Sequence, residues 1–155
     1  MENFKPTAYT LQCVATERQF EDTGWVLEDK ECGEPSLVRA IYENKKLQLR
    51  GEEYGFYTFC DWLPIKRLLQ GSAAPVTYRS EGLAKHLGLE NLYITLNGYS
   101  PRHGAKMSTC SFKETEAYSV CGRMDATNDR ILVVASAGNT ARAFAKVCSE
   151  NNIPL

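Results

Sequence analysis

The apolar and polar positions in the first third of the chain predict short strands joined by turns. Residues 9–14 and 24–27 have the apolar, β-branched and aromatic content of strands. In residues 36–42 the apolar side chains recur on one helical face, so a short helix with Ser36 as its N-cap is predicted there. Together these elements predict a small β-rich head over residues 1–50.

An aromatic-rich segment at residues 56–64 dominates the middle of the chain. Aromatic side chains contribute much of the area buried in protein cores, so we interpret this segment as core packing and not as a cofactor site. A helix is predicted from Ser80, because apolar residues recur along one face up to Gly88, a residue type that commonly ends helices.

The last third of the chain predicts a β-α-β-α order of elements. A strand at residues 92–96 is followed by a helix from about Phe112, a strand at 131–135 and a helix from about Asn139. The second of these strands is apolar on both faces, a pattern typical of a parallel sheet covered by helices on both sides. We therefore expect an α/β fold with an open parallel sheet in three layers over residues 51–155.

The apolar residues that follow the last predicted helix resemble the start of a further strand. A parallel sheet of this kind needs more strands than residues 92–155 supply. We therefore expect the chain to be the N-terminal part of a longer domain, truncated at its C-terminal end. The alternative is a complete small domain whose tail ends at Leu155.

Composition and charge argue against several classes of function. The 155 residues carry a formal net charge of -1, which gives no broad attraction to nucleic acid or to anionic lipid. The sequence has no apolar run long enough to cross a membrane, and its first residues lack a basic segment followed by an apolar stretch, so we expect no signal peptide. Its 6 cysteines lack the close spacing of a disulfide framework. We expect a cytoplasmic protein with free thiols.

Lys113 is the candidate catalytic residue. It lies at the predicted start of the helix that begins near Phe112. The positive end of a helix dipole favours the neutral form of an amine placed there, and a neutral amine can condense with an aldehyde such as pyridoxal 5'-phosphate. The alternative is a solvated surface lysine.

The second candidate segment is a loop of small residues that precedes the last predicted helix. Its members are Ser136, Ala137, Gly138, Asn139 and Thr140. Backbone N–H groups at a helix start bind carboxylate or phosphate, and the hydroxyls of Ser136 and Thr140 can add donors. The amide of Asn139 can donate to an oxygen on a cofactor ring. The alternative is ordinary helix capping, with Gly138 allowing tight packing.

Both segments follow strands of the predicted sheet, at the edge where open α/β sheets bind ligands. From residue 75 to 155, the sequence resembles the N-terminal half of the fold-type II pyridoxal phosphate enzymes. The similarity is to threonine synthases and to the related cysteate synthases of methanogenic archaea. It rests on Ser-Phe-Lys at 111–113 and Ser-x-Gly-Asn-Thr at 136–140 and, for the cysteate synthases, on residues 61–64 and 75–83. This resemblance implies a three-layer fold like that of the tryptophan synthase β subunit.

The resemblance implies a role for each segment. Lys113 would hold pyridoxal 5'-phosphate and act as the base that takes the substrate α-proton. Asn139 would hydrogen-bond the cofactor ring, and the loop from Ser136 to Thr140 would hold the substrate carboxylate. The full-length enzyme would be a homo-oligomer that acts on small molecules, without nucleic acid or membrane partners.

The cysteate synthases are the closer likeness, and their function is the first of three alternatives. In the cysteate synthases the implied reaction is β-replacement on O-phosphoserine with sulfite, giving L-cysteate and phosphate in coenzyme M biosynthesis. In the threonine synthases it is conversion of O-phosphohomoserine to threonine. The third alternative is a non-catalytic interaction or regulatory domain that keeps the fold.

The sequence also departs from the family pattern. Many members have Gly before Ser-Phe-Lys and Asp after it, where this chain has Cys110 and Glu114. The family's phosphate-binding glycine loop and the hydroxyl partner of the pyridine nitrogen lie in its later half and have no counterpart here, so we expect the fragment alone to be inactive. The head resembles a degenerate zinc ribbon in which Cys13 and Cys32 remain and Thr16 replaces a ligand, so no metal is expected.

The other titratable candidates are His86, His103 and Lys106. The last two precede Lys113 in the same loop, where they could line the entrance of a site and attract phosphate or sulfite. Solvated loop residues are the alternative.

Overall fold

The computed structural model of the protein describes residues 6–24, 26–125, 127 and 130–155. Within them, the head is an antiparallel sheet in the order β2-β1-β3. Its strands are β1 (Tyr9–Cys13), β2 (Gln19–Phe20) and β3 (Val38–Tyr42). The central strand, β1, pairs with both neighbours and contributes the buried side chains of Leu11 and Cys13. All three strands lie in the region predicted to be β-rich.

Two predictions for the head are wrong. Residues 36–42 do not form a helix, because β3 pairs with β1 along its whole length. A stretch this short fits both the helical and the strand period, and pairing with a neighbouring strand decides between them. Ser36 accepts the backbone N–H of Ala15 at 3.1 Å instead of capping a helix. The predicted strand at 24–27 is not a strand in its described residues, and its Trp25 lies outside them.

The aromatic-rich segment is core packing, as predicted. Its residues 56–62 belong to a 3-10 segment, Glu52–Trp62, in which the side chains of Tyr57 and Cys60 are buried. Tyr57 packs edge-on against Tyr118 with ring centroids 5.9 Å apart, and its hydroxyl donates to the Tyr118 carbonyl at 3.1 Å. The segment therefore lies beneath the helix that carries Lys113.

The helix predicted from Ser80 is confirmed as α1 (Glu81–Leu87), which ends at Gly88 in the left-handed conformation. It connects β4 (Val76–Arg79) to β5 (Tyr93–Leu96). The predicted strand at 92–96 is thus confirmed, but it pairs antiparallel with β4. A second antiparallel pair follows, β6 (Tyr99–Ser100) and β7 (Ala105–Lys106), around a 3-10 turn at Pro101–His103.

The two helices predicted in the last third are also confirmed, as α2 (Lys113–Arg123) and α3 (Asn139–Glu150). They pack against each other and share one core with the aromatic-rich segment. Their most buried side chains are Ala117, Tyr118, Cys121, Ala143, Phe144, Val147 and Cys148. None of the helices in the described residues has the length and apolar character needed to span a membrane.

The prediction of a strand at residues 131–135 is wrong, because these residues form no strand. Leu132 and Val134 pack on the core, whereas Ile131 is 68% exposed and Val133 84% exposed. The backbone N–H of Leu132 donates to the carbonyl of Pro154 at 3.0 Å. A strand needs a hydrogen-bonded neighbour along its length, which a single bond does not supply. The parallel three-layer sheet therefore stays a prediction.

A buried ion pair joins the head to the C-terminal end of α2. Arg123 donates two hydrogen bonds to the Asp22 carboxylate, at 3.0 and 2.9 Å, and the Tyr9 hydroxyl donates a third at 2.6 Å. The Asp22 side chain is only 3% exposed. Burial opposes its ionised form, but hydrogen bonds from Arg123, Tyr9 and the N–H of Gly24 outweigh burial and lower the pKa of Asp22 from its ordinary 3.8.

Replacing Asp22 with Asn should destabilise the protein by about 3 kcal/mol, because Arg123 would lose its buried counter-charge. A folded-state pKa below 3.8 means that the contribution of Asp22 is present above that pH and is lost as the pH falls through the folded value. The deficit of the Asp22→Asn variant should therefore shrink on acidification. Urea unfolding as a function of pH measures it. Glu21→Gln, an exposed neighbour, is the control, and an equal loss there would contradict the prediction.

Cysteine reactivity should follow burial. All 6 cysteines are free thiols in the described structure. Burial raises the pKa of the Cys121 thiol to about 12 and also raises that of Cys148, whereas Cys110 is exposed. Because the reagent must reach a thiolate, iodoacetamide at neutral pH should modify the exposed Cys110 before Cys121 and Cys148, which should react only after unfolding. Peptide mass spectrometry measures the order. Equal rates at Cys110 and Cys121 in the folded protein would contradict it.

Candidate functional site

Lys113 is the first residue of α2 and follows a tight turn. Cys110, in that turn, has a φ of 52, and the next side chain, Ser111, is buried. Ser111 Oγ accepts the backbone N–H of Lys113 at 3.3 Å, and the Ser111 carbonyl accepts the N–H of Glu114 at 3.0 Å. The Ser-Phe-Lys segment thus forms the entry to the helix, as the sequence predicted.

The Lys113 side chain is partly accessible. Its Nζ lies 2.6 Å from a carboxylate oxygen of Glu116, one turn along α2, and 5.2 Å from the ring centroid of Phe112. The Lys113 side chain is 34% exposed, and the Phe112 residue 60%. A small molecule can therefore reach the amine, but the ion pair with Glu116 must open before the amine can act as a nucleophile.

The loop before α3 is open. Residues 136–139 are exposed and Thr140 is half-buried. The N–H of Gly138 donates to Ser136 Oγ at 3.3 Å, and α3 begins without a hydrogen bond from a capping side chain. A Cβ placed on Gly138 would meet no atom within 4 Å outside its chain neighbours. The alternative in which Gly138 permits tight packing is therefore wrong, and the first amides of α3 have no intrahelical acceptor.

The two candidate segments are connected through the packing of their helices, α2 and α3. Among the described residues, the hydrogen bonds and ion pairs include none between Lys113 and residues 136–140. The direct links between the helices lie further along them, where Cys121 Sγ is 3.9 Å from Cys148 Sγ and Lys146 donates to the Tyr118 hydroxyl at 2.9 Å. The assignment of both segments to one site stays a prediction.

Two charged residues between α2 and α3, Glu114 and Lys146, were not predicted from the sequence as part of the site. Glu114 is fully buried, and Lys146 Nζ lies 3.5 Å from its Oε1. A signal was present in the sequence, because Glu114 precedes Ala117, Tyr118 and Cys121 at the spacing of one buried helical face. A carboxylate on that face requires a partner in the core.

His103 and Lys106 line a cleft of about 430 Å³ that also contains Glu52 and Glu53. The His103 ring stacks on Tyr78, with centroids 4.3 Å apart, and its Nδ1 is 3.0 Å from Ser100 Oγ. Two carboxylates beside two basic side chains do not make a purely positive entrance, so the cleft gives no strong attraction for phosphate or sulfite. His86 is exposed on α1.

Cys13, one of the two cysteines left from the zinc-ribbon pattern, lies in a hydrogen-bonded cluster at the end of β1. Cys13 Sγ is 3.4 Å from Ser36 Oγ, and hydrogen bonding by Ser36 and Thr16 lowers the pKa of the Cys13 thiol to about 7. Nearby, Arg18 forms an ion pair with Asp29. In the part of the chain that the structure describes, no three His, Cys, Asp or Glu side chains are arranged to hold a metal.

Known proteins similar to this chain are cysteate synthases of archaea. The chain is 43% identical to the cysteate synthase of Methanocella paludicola over 147 aligned residues. The alignment covers 95% of this chain and 34% of that protein. It is 44% identical over 137 residues to that of Methanosarcina mazei, covering 88% and 32%. With that of Methanothrix thermoacetophila the identity is 50% over 121 residues, covering 77% and 29%.

No protein-family profile and no solved structure matches the chain. The chain spans about a third of the length of the curated relatives it matches, and it corresponds to their N-terminal third. The resemblance drawn from the sequence motifs is therefore confirmed.

Replacing Cys110 with Gly should stabilise the protein by about 1 kcal/mol, because glycine adopts a φ of 52 without steric cost and the exposed thiol makes only a weak 4.0 Å hydrogen bond to the Ser108 carbonyl. Cys110→Ala is the matched control, since it removes the thiol but keeps the Cβ. Thermal unfolding of the two variants measures the difference. Equal unfolding temperatures would show that the left-handed turn is not strained.

Proposed function

We propose that this relative of the archaeal cysteate synthases provides the cofactor-binding lysine of a pyridoxal 5'-phosphate-dependent cysteate synthase. The chain is related to the N-terminal third of those enzymes. The observation that carries the proposal is the accessible amine of Lys113 at the first turn of α2, held by the buried turn that precedes it.

The donor set fits this cofactor. Lys113 offers a primary amine for the aldehyde carbon, Asn139 an exposed amide for a ring oxygen, and the open start of α3 backbone N–H groups for an anion. When bound, pyridoxal 5'-phosphate supplies an electron sink for negative charge at the substrate Cα. The groups expected to hold the cofactor phosphate and pyridine nitrogen lie in the part of the relatives that this chain does not span.

In the proposed reaction, the Nζ of Lys113 first holds the cofactor, later removes the proton from the substrate Cα, and returns it to that carbon after the replacement at Cβ. Glu116, which contacts this amine at 2.6 Å, must move aside for each of these tasks. The N–H groups of the loop from Ser136 to Thr140 orient the substrate carboxylate, and the hydroxyls of Ser136 and Thr140 add donors.

The proposed substrates are O-phosphoserine and sulfite. At the substrate Cβ, the C–O bond to the departing phosphate breaks and a C–S bond to sulfite forms, giving L-cysteate for coenzyme M biosynthesis. Threonine synthesis from O-phosphohomoserine would require the same lysine, but the curated relatives reported above carry the name cysteate synthase. The cytoplasm as location and a homo-oligomeric full-length enzyme are parts of the same proposal.

The proposed fold is the parallel three-layer one. Residues 131–135 support it, because their inward side chains pack on the core while Ile131 and Val133 face outward and exposed. An apolar segment covered on one face only is the arrangement expected of a strand in a three-layer sheet, where a second helical layer covers the opposite face.

Mixing the protein with pyridoxal 5'-phosphate and then reducing with borohydride should attach the cofactor to Lys113. Peptide mass spectrometry locates the modified residue. Lys113→Ala should abolish the labelling, and Lys85→Ala, which removes an exposed lysine of α1, should leave it unchanged. Labelling spread evenly over exposed lysines would contradict the proposed function.

A further inference from the structure

The residue after Lys113 is a carboxylate in the protein core. Glu114 is 0% exposed, and its Oε2 accepts the backbone N–H of Thr109 at 2.9 Å. The backbone N–H of Glu114 donates at the same time to the Ser111 carbonyl at 3.0 Å. Glu114 therefore closes the turn that leads into α2 from two sides, once through its side chain and once through its backbone.

The charge of Glu114 is balanced across the helix contact. Lys146 of α3 lies 3.5 Å from Glu114 Oε1, an atom that makes no hydrogen bond within the described residues. Lys146 Nζ also donates to the Tyr118 hydroxyl at 2.9 Å, to Glu150 at 2.8 Å and to the Gly71 carbonyl at 3.1 Å. The Lys146 side chain is 14% exposed, so this cation is largely removed from water together with the carboxylate.

The protonation states of the groups around Lys146 are consistent with this balance. Burial raises the pKa of Tyr118 to about 12, so its hydroxyl keeps its proton at neutral pH. Burial opposes the charged form of Lys146, but hydrogen bonds with Glu150 and Tyr118 and the nearby Glu114 charge outweigh it and raise the pKa of Lys146. One cation thus serves a buried carboxylate and a half-exposed one.

Lys113 lies next to Glu114 in the turn that the Glu114 hydrogen bonds hold together. Its own N–H donates to Ser111 Oγ at 3.3 Å, and the turn that begins at Thr109 reaches it through Cys110 in the left-handed conformation. Without the bond from Thr109 to Glu114, the backbone of this turn would be free to adopt other conformations, and the amine of Lys113 would move with it.

We propose that Glu114, with Lys146 as its charge partner, is a positioning residue that holds the Lys113 amine in place for attachment of the cofactor. The inference rests on the proposed function, because it requires that Lys113 binds the cofactor. A purely structural ion pair would not affect the reactivity of Lys113. In the proposed arrangement, the Glu114 side chain couples the charge of Lys146 on α3 to the reactivity of the Lys113 amine on α2.

The test compares Glu114→Ala, Glu114→Gln and Glu150→Gln in the whole chain. Glu114→Ala removes the acceptor for the Thr109 N–H, whereas Glu114→Gln keeps an oxygen in its place without the charge. Glu150→Gln is the matched control, because Glu150 shares Lys146 but makes no hydrogen bond to the turn in the described structure. Glu114→Gln also keeps the test informative if the alanine variant does not fold.

Two readouts are needed, amide hydrogen exchange at Thr109 and the rate of borohydride-trapped attachment of pyridoxal 5'-phosphate at Lys113. In Glu114→Ala, exchange at Thr109 should accelerate by at least about tenfold, the effect of losing one hydrogen bond to a charged acceptor. Attachment at Lys113 should slow by a comparable factor. Glu114→Gln should restore both rates in part, and Glu150→Gln should leave both near those of the unmodified protein.

Unchanged attachment in Glu114→Ala and Glu114→Gln, with faster exchange at Thr109, would overturn the inference and leave a structural ion pair. If Glu114→Ala unfolds, the test uses Glu114→Gln and a further variant, Lys146→Met, which removes the charge partner of Glu114. The inference is then overturned if Glu114→Gln changes neither attachment at Lys113 nor exchange at Thr109, and if Lys146→Met changes these two rates no more than Glu150→Gln does. A different failure belongs to the proposed function: attachment in the unmodified protein that is no faster at Lys113 than at Lys85. Exchange at Thr109 reports on the turn independently of that outcome.

Discussion

The packing of α2 against α3 is the contact on which the rest of the structure depends. Tyr118 and Cys121 of α2 meet Val147 and Cys148 of α3 in the core, above the aromatic-rich segment. Large buried side chains of this kind contribute about 2 kcal/mol or more each, far more than the hydrogen bonds of the loops around them. The helix starts, and with them Lys113 and the loop before α3, are positioned by this contact.

The helix that carries Lys113 is held at both ends by charges buried in the protein. At its C-terminal end Arg123 binds Asp22 of the head, and at its N-terminal end Glu114 binds the N-terminal turn and approaches Lys146. Each carboxylate is almost completely buried. Buried charges of this kind add little net stability but penalise every arrangement in which they lose their partner. They fix the orientation of α2 more than they strengthen it.

Local patterns predicted the elements whose signals lie within a few residues. Helix α1 ends at Gly88 as its sequence indicated, and the starts of α2 and α3 were found from the small and polar residues that precede them. The region of β3 was predicted as a helix because its partner, β1, is distant in the sequence. The antiparallel partner of β5 and the burial of Glu114 beside Lys146 likewise depend on contacts between distant residues.

The candidate residues themselves were predicted from motifs, because a lysine at a helix start and a small-residue loop are local features. The central claim is that Lys113 and the loop before α3 act together. The most direct test is to measure product formation by a protein that contains these residues and has the full length of the relatives. With O-phosphoserine and sulfite, we predict L-cysteate and an equal amount of phosphate, both abolished by Lys113→Ala. Threonine from O-phosphohomoserine instead, or cysteate formed equally well without Lys113, would contradict it.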